Sequence, residues 1–111
     1  MTKYLLLYRA PVSAQDQMAN ATPEQAQAGM DAWMGWAGRA GSAIADMGAP
    51  TAYAETVGAT YPASEGSIGG YSILEADSLD ALKGLLDGHP HLMMGEGAGI
   101  DIHELLDMPG M

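Results

Sequence analysis

The sequence predicts an α+β fold with the element order β-α-β-β-α-β. Three observations lead there: an opening run, residues 3–9, that is apolar on both alternating faces; a capped helix beginning at Thr22; and two further strand-like runs, residues 70–76 and 99–106, flanking a short leucine-striped helix. With 111 residues, 48% of them apolar and 16% charged, the chain is long enough for one core and is expected to be one domain, residues 1–111.

In the first strand Tyr4, Leu6 and Tyr8 share one side, and Leu5 and Leu7 the other, the pattern of a strand covered on both faces. A polar connection is expected over residues 11–21. Thr22, Pro23 and Gln25 then combine an N-cap hydroxyl, proline at the first helical position and the glutamine of a capping box. From there Ala26, Met30, Trp33, Ala37, Ala40, Ile44 and Met47 recur at steps of three and four. The stripe predicts a helix of about 24 residues, closed at Gly48 and blocked at Pro50. Trp36 falls about 60° off the stripe, toward the sheet edge or a partner.

Residues 51–57 read as the second strand, since Tyr53, Glu55 and Val57 alternate with Ala52, Ala54 and Thr56. Residues 58–70, rich in glycine and small polar residues, read as a turn. The third strand, residues 70–76, leads to Asp77 or Ser78 as the cap of a helix striped by Leu79, Leu82, Leu85 and Leu86, closed by Gly88 and stopped by Pro90. Residues 99–106 form the fourth strand.

This order is the split βαβ arrangement of ferredoxin-like folds, with four antiparallel strands and both helices on one face. The other face stays open, yet apolar residues occupy both sides of the strands at Leu5 or Leu6, Ile73 or Leu74, and Ile102 or Leu105. An uncovered apolar face calls for a partner. A homodimer closing two sheets over each other, as a dimeric α/β barrel, is the economical arrangement.

Composition removes several classes of function. Fourteen acidic residues against four basic ones leave a net charge of −10, unfavourable for nucleic acid or an anionic membrane. The absence of cysteine excludes disulfides, thiolate nucleophiles and cysteine-held metals. The opening apolar run is too short for a signal or spanning segment, so a cytoplasmic location is the default. With no phenylalanine in the chain, the nine methionines are expected to fill gaps in the core.

Three segments resemble the YCII-related (DGPF-type) family. These are Lys3-Tyr4-Leu5-Leu6-Leu7-Tyr8; Gly69-Gly70-Tyr71-Ser72-Ile73-Leu74-Glu75-Ala76-Asp77-Ser78-Leu79-Asp80; and His89-Pro90-His91-Leu92 with Ile100-Asp101-Ile102-His103-Glu104. The resemblance implies a ferredoxin-like homodimer with a pocket, and a role undefined for most members. For this chain the expectation is binding of a small organic molecule in the dimer cleft, or acid/base chemistry on it; the alternative is a non-catalytic dimerisation or interaction module. Other members pair a His near the start of the first helix with an Asp directly before the proline of the closing turn. Here residues 22–47 contain no His, His89 stands before Pro90, and the Asp-Gly-Pro-Phe motif is absent. That dyad has no counterpart at these positions.

Chemistry-bearing residues gather near the C-terminus. Asp101 and His103, two apart on a strand, face one way, opposite Ile100 and Ile102, and a carboxylate beside an imidazole suits proton transfer. His89 and His91 flank Pro90, where they could join a metal site with His103 or Glu104, although Pro90 more simply ends a helix with His89 at its C-terminus. Arg9 could hold an anionic substrate or pair with an acid, and the tyrosines and tryptophans could line a pocket or fill the core. The candidate catalytic residues are His103, Asp101 and His89, and the candidate ligand-binding residues are Tyr8, Arg9, His91 and Tyr71. No metal and no cofactor is expected.

Overall fold

The computed structural model describes residues 1–12, 14–59, 67–94 and 97–108. Its elements are β1 (Thr2–Ala10), α1 (Ala14–Asn20), α2 (Pro23–Ala40), β2 (Ile44–Asp46), β3 (Ser67–Ala76), α3 (Leu79–Leu86) and β4 (Gly99–Glu104), with 3₁₀ turns at Gly41–Ala43 and Pro90–Met93. The four strands form one antiparallel sheet in the order β2-β3-β1-β4, the ferredoxin-like arrangement.

Strand alternation divides the side chains between two faces. Tyr4, Leu6 and Tyr8 of β1 are buried with Ser72, Leu74 and Ala76 of β3, under Trp36 and Ala40 of α2 and Leu82 and Leu86 of α3. Ile100 and Ile102 pack against the same core, as their alternation predicts. The opposite face carries Leu5, Leu7, Tyr71 and Ile73, half-buried, with Asp101 and His103 across the ladder from Leu7 and Leu5.

The helix starts are set by the residues that predict them. Thr22 Oγ1 accepts the Gln25 backbone N–H at 3.1 Å while Gln25 Oε1 accepts the Thr22 N–H at 2.9 Å, a complete capping box. Ser78 caps α3 by accepting the Ala81 N–H at 3.1 Å.

The middle of the chain departs from expectation. α2 ends at Ala40 instead of near Met47, because Gly41 turns to φ +57° and its N–H closes on the Ala37 carbonyl. Ile44 is then half-buried as a strand residue opposite Leu74, so the second strand is Ile44–Asp46 and not residues 51–57. Beyond the bridge of Pro50 to Gly70 and the Thr51 N–H bond to Gly69, residues 52–59 run exposed without a ladder. Their alternation has no buried side: Tyr53 is 81% exposed and Val57 92%. The expected connection over residues 11–21 contains the short helix α1. Trp36 lies in the core, 1% exposed, with Nε1–H donating to the Leu85 carbonyl at 2.9 Å. The methionines do not fill the core; every described one is at least 37% exposed.

Candidate functional site

The candidate residues fall on opposite faces of the sheet. His89, His91 and Tyr8 lie on the helix side, whereas Asp101, His103, Arg9 and Tyr71 lie on the open side. Within the chain His89 and His91 therefore share no cavity with Asp101 and His103.

On the open side Arg9 Nη1 stands 3.4 Å from Asp101 Oδ2, with the Arg9 side chain 17% exposed and that of Asp101 50%. The basic residue at the end of β1 thus faces the acid of β4. His103 is exposed one pleat along, opposite Leu5. Tyr71 is half-buried opposite Leu7.

On the helix side Pro90 and the 3₁₀ turn it begins draw two imidazoles into the protein. His89, fully buried, caps that turn: its Nδ1 accepts the His91 N–H at 3.0 Å. The ring sits among aromatics, with centroids 4.3 Å from Trp36, 4.6 Å from Trp33 and 5.2 Å from Tyr8, and it stands edge-on to Trp33 at 89°. His91, 6% exposed, places Nε2 2.8 Å from the Arg9 carbonyl oxygen and its ring 5.3 Å from Tyr8. Tyr8 donates its hydroxyl hydrogen to Ser72 Oγ at 2.8 Å, and Ser72 donates to the Met47 carbonyl at 2.7 Å. Burial raises the Tyr8 pKa against the lowering effect of Ser72, so the phenol keeps its proton.

The electrostatics of His89 follow from this packing. Burial, then the neighbouring His91 and Arg39, lower its pKa to about 4, so the ring is neutral at pH 7. Because Nδ1 is an acceptor, the proton of the neutral ring is on Nε2. That Nε2 is buried without a hydrogen-bond partner. An unpaired buried donor costs about 1–3 kcal/mol.

Sequence reasoning singled out His89, His91 and Tyr8 but not their association, nor Ser72. The signal for Ser72 was present: it is the one hydroxyl in the row Ser72, Leu74 and Ala76 that β3 turns inward. Among the described residues no three His, Asp or Glu side chains are gathered for a metal ion, and no helix is long and apolar enough to cross a membrane.

No family model matches the chain, and no curated protein matches it. Among solved structures it is similar to 5-chloro-2-hydroxyhydroquinone dehydrochlorinase of Burkholderia phenoliruptrix, in complex with 2,5-dihydroxybenzoquinone. The two share 19% identity over 91% of each chain, with a TM-score of 0.48.

Proposed function

We propose that the protein is a YCII-related cytoplasmic homodimer, its sheets closed over each other on their open faces as a dimeric α/β barrel, that binds a small, flat organic molecule through a buried hydrogen-bond donor. One observation carries this reading: a neutral imidazole, His89, holds an unpartnered Nε2–H inside a box of Trp33, Trp36 and Tyr8. Aromatic walls bind a planar molecule by its faces, and a buried donor fixes it by an acceptor oxygen. Trp33, half-buried, is the least covered wall of the box, beside buried Trp36 and Tyr8. A second reading rests on Arg9 and Asp101, whose ion pair enters the barrel interior with His103 and Tyr71 when the sheets close. A third takes the open face as an assembly surface alone.

Titration of indole emission with benzaldehyde and with toluene, which differ by one acceptor oxygen, tests the first reading. Saturable quenching by benzaldehyde, weak or absent with toluene and lost in His89→Leu, is expected. Binding retained in His89→Leu but lost in Asp101→Asn would transfer the site to the open face. No saturable change in the wild type would favour the assembly module.

A further inference from the structure

A recess of about 570 Å³ opens on the helix side of the molecule, where the end of α3 and the Pro90–Met93 turn meet β4. Leu86, Leu92 and Ile100 supply its apolar surface, Gly84 a stretch of bare backbone, and Lys83 and Asp87 its charges. Its size falls in the range of sites for small molecules. It shares no lining residue with the enclosure of His89, and Ile100 packs toward the core, so the recess also stands clear of the open face of the sheet.

Two features of α3 serve no purpose within the protomer. Gly84 stands inside a helix, where glycine is less stable than alanine because it loses more backbone freedom on folding. A Cβ there would meet nothing within 4 Å, so no close contact calls for glycine; what the missing side chain does is leave the recess open. Lys83 and Asp87 are about one helical turn apart and both exposed, yet among the described residues neither makes an ion pair. A lysine four residues before its acid is the weaker order for such a pair, because it opposes the helix dipole. Lys3 and Arg9, by contrast, each face an acid, at 3.8 and 3.4 Å.

The charges define what the recess can hold. A net charge of −10 repels a free carboxylate from a distance, and a simple amine leaves Lys83 unused. A zwitterion is neutral overall and satisfies both groups. Its body must be apolar to cover Leu86, Ile100 and Leu92, the last of them 44% exposed. We propose that this recess binds an apolar α-amino acid, with its carboxylate on Lys83, its ammonium on Asp87 and its side chain over Leu86, Leu92 and Ile100, in the space that Gly84 leaves.

The test is a titration of the isotope-labelled protein with L-leucine, followed by amide resonances in NMR at about pH 7, where all the charges are present. Three partial analogues accompany it: isocaproate lacks the ammonium, isoamylamine lacks the carboxylate, and glycine lacks the apolar body. Leucine should shift the amides of Gly84, Leu86 and Leu92 saturably with a Kd of about 1 mM, and each analogue should bind about tenfold or more weakly. Gly84→Leu fills the recess and keeps both charges; it should lose about tenfold or more in affinity with no loss of stability in urea. Lys83→Gln, changed only at an exposed position, should erase the advantage of leucine over isoamylamine. An analogue that binds as tightly as leucine overturns the proposal, as does unchanged affinity in Gly84→Leu or an unchanged preference in Lys83→Gln. Shifts confined to other residues, or no saturable shift at about 10 mM leucine, overturn it as well.

Discussion

Protonating His89 should destabilise the fold as the pH falls below 6.5. In the unfolded chain its imidazole takes up a proton near pH 6.5; in the folded protein, buried and beside His91 and Arg39, it does so only near pH 4. The neutral form is therefore the folded form. As the pH falls through 6.5 the unfolded state gains a proton that the folded state refuses, and stability drops until the folded imidazole also protonates near pH 4. At about 1.4 kcal/mol for each pH unit between the two values, the loss attributable to this one ring reaches about 3 kcal/mol, a large part of a small domain's stability. Urea unfolding at pH 7, 6, 5 and 4.5, at one protein concentration, measures it against His89→Asn. Asparagine keeps an acceptor for the His91 N–H but has no proton to gain. The variant starts less stable at pH 7 because it leaves space among Trp33, Trp36 and Tyr8, yet its curve should be flatter by about 3 kcal/mol over the range. Parallel curves between pH 6.5 and 4.5 would refute the reasoning, since carboxylate titration is common to both proteins.

Two further perturbations test the open face and the crossing from β2 to β3. Leu7→Glu puts a carboxylate beside Asp101 at the centre of the exposed sheet and should weaken self-association by about 100-fold or more in sedimentation equilibrium, with circular dichroism unchanged; a variant that remains fully dimeric would show that the sheets do not pair here. Gly48→Ala forces a methyl group into the Tyr71 carbonyl oxygen at φ +78°, whereas Gly58, at φ +87°, has nothing within 4 Å. The first should cost at least about 2 kcal/mol in urea unfolding and Gly58→Ala about 1 kcal/mol, and equal costs would show that the contact is not what matters.

Where a segment has one buried side, the sequence displays it: the alternation of Tyr4, Leu6 and Tyr8, the Ser78 cap and the inward Leu82 and Leu86 place β1, α3 and the core directly. α1 was invisible because Gln17, Met18, Ala19 and Asn20 bury no continuous stripe, and a helix without one leaves no period to read. The long stripe misled for a related reason. It weighted Ala26 and Met30, which touch no core, equally with Ala37 and Ala40, which do, and it ran on through Ile44, whose burial comes from a strand. Removing those positions moves the buried face of α2 around to Trp36. The methionines were misplaced by composition alone: lacking phenylalanine, the chain packs its centre with Trp36, Tyr4, Tyr8 and leucines instead.

For the site, proximity in sequence was the weaker guide. His89, His91, Asp101 and His103 lie within a short stretch, but the sheet passes between the two pairs, and physical chemistry separates their value. The Arg9–Asp101 pair is half-exposed on its acidic side; such a pair contributes little to stability, weakens with salt, and is a common way to satisfy two surface charges. His89 is different. Leucine or methionine would fill the space among Trp33, Trp36 and Tyr8 without the cost of an orphaned donor or the acid sensitivity of an imidazole. The capping bond to His91 explains Nδ1, but asparagine or serine would supply it equally well. What only histidine adds is a neutral ring that caps the turn through Nδ1 and still carries a hydrogen-bond donor on Nε2 among aromatic side chains, and that donor is worth the stability it costs if an acceptor atom of a bound molecule takes it.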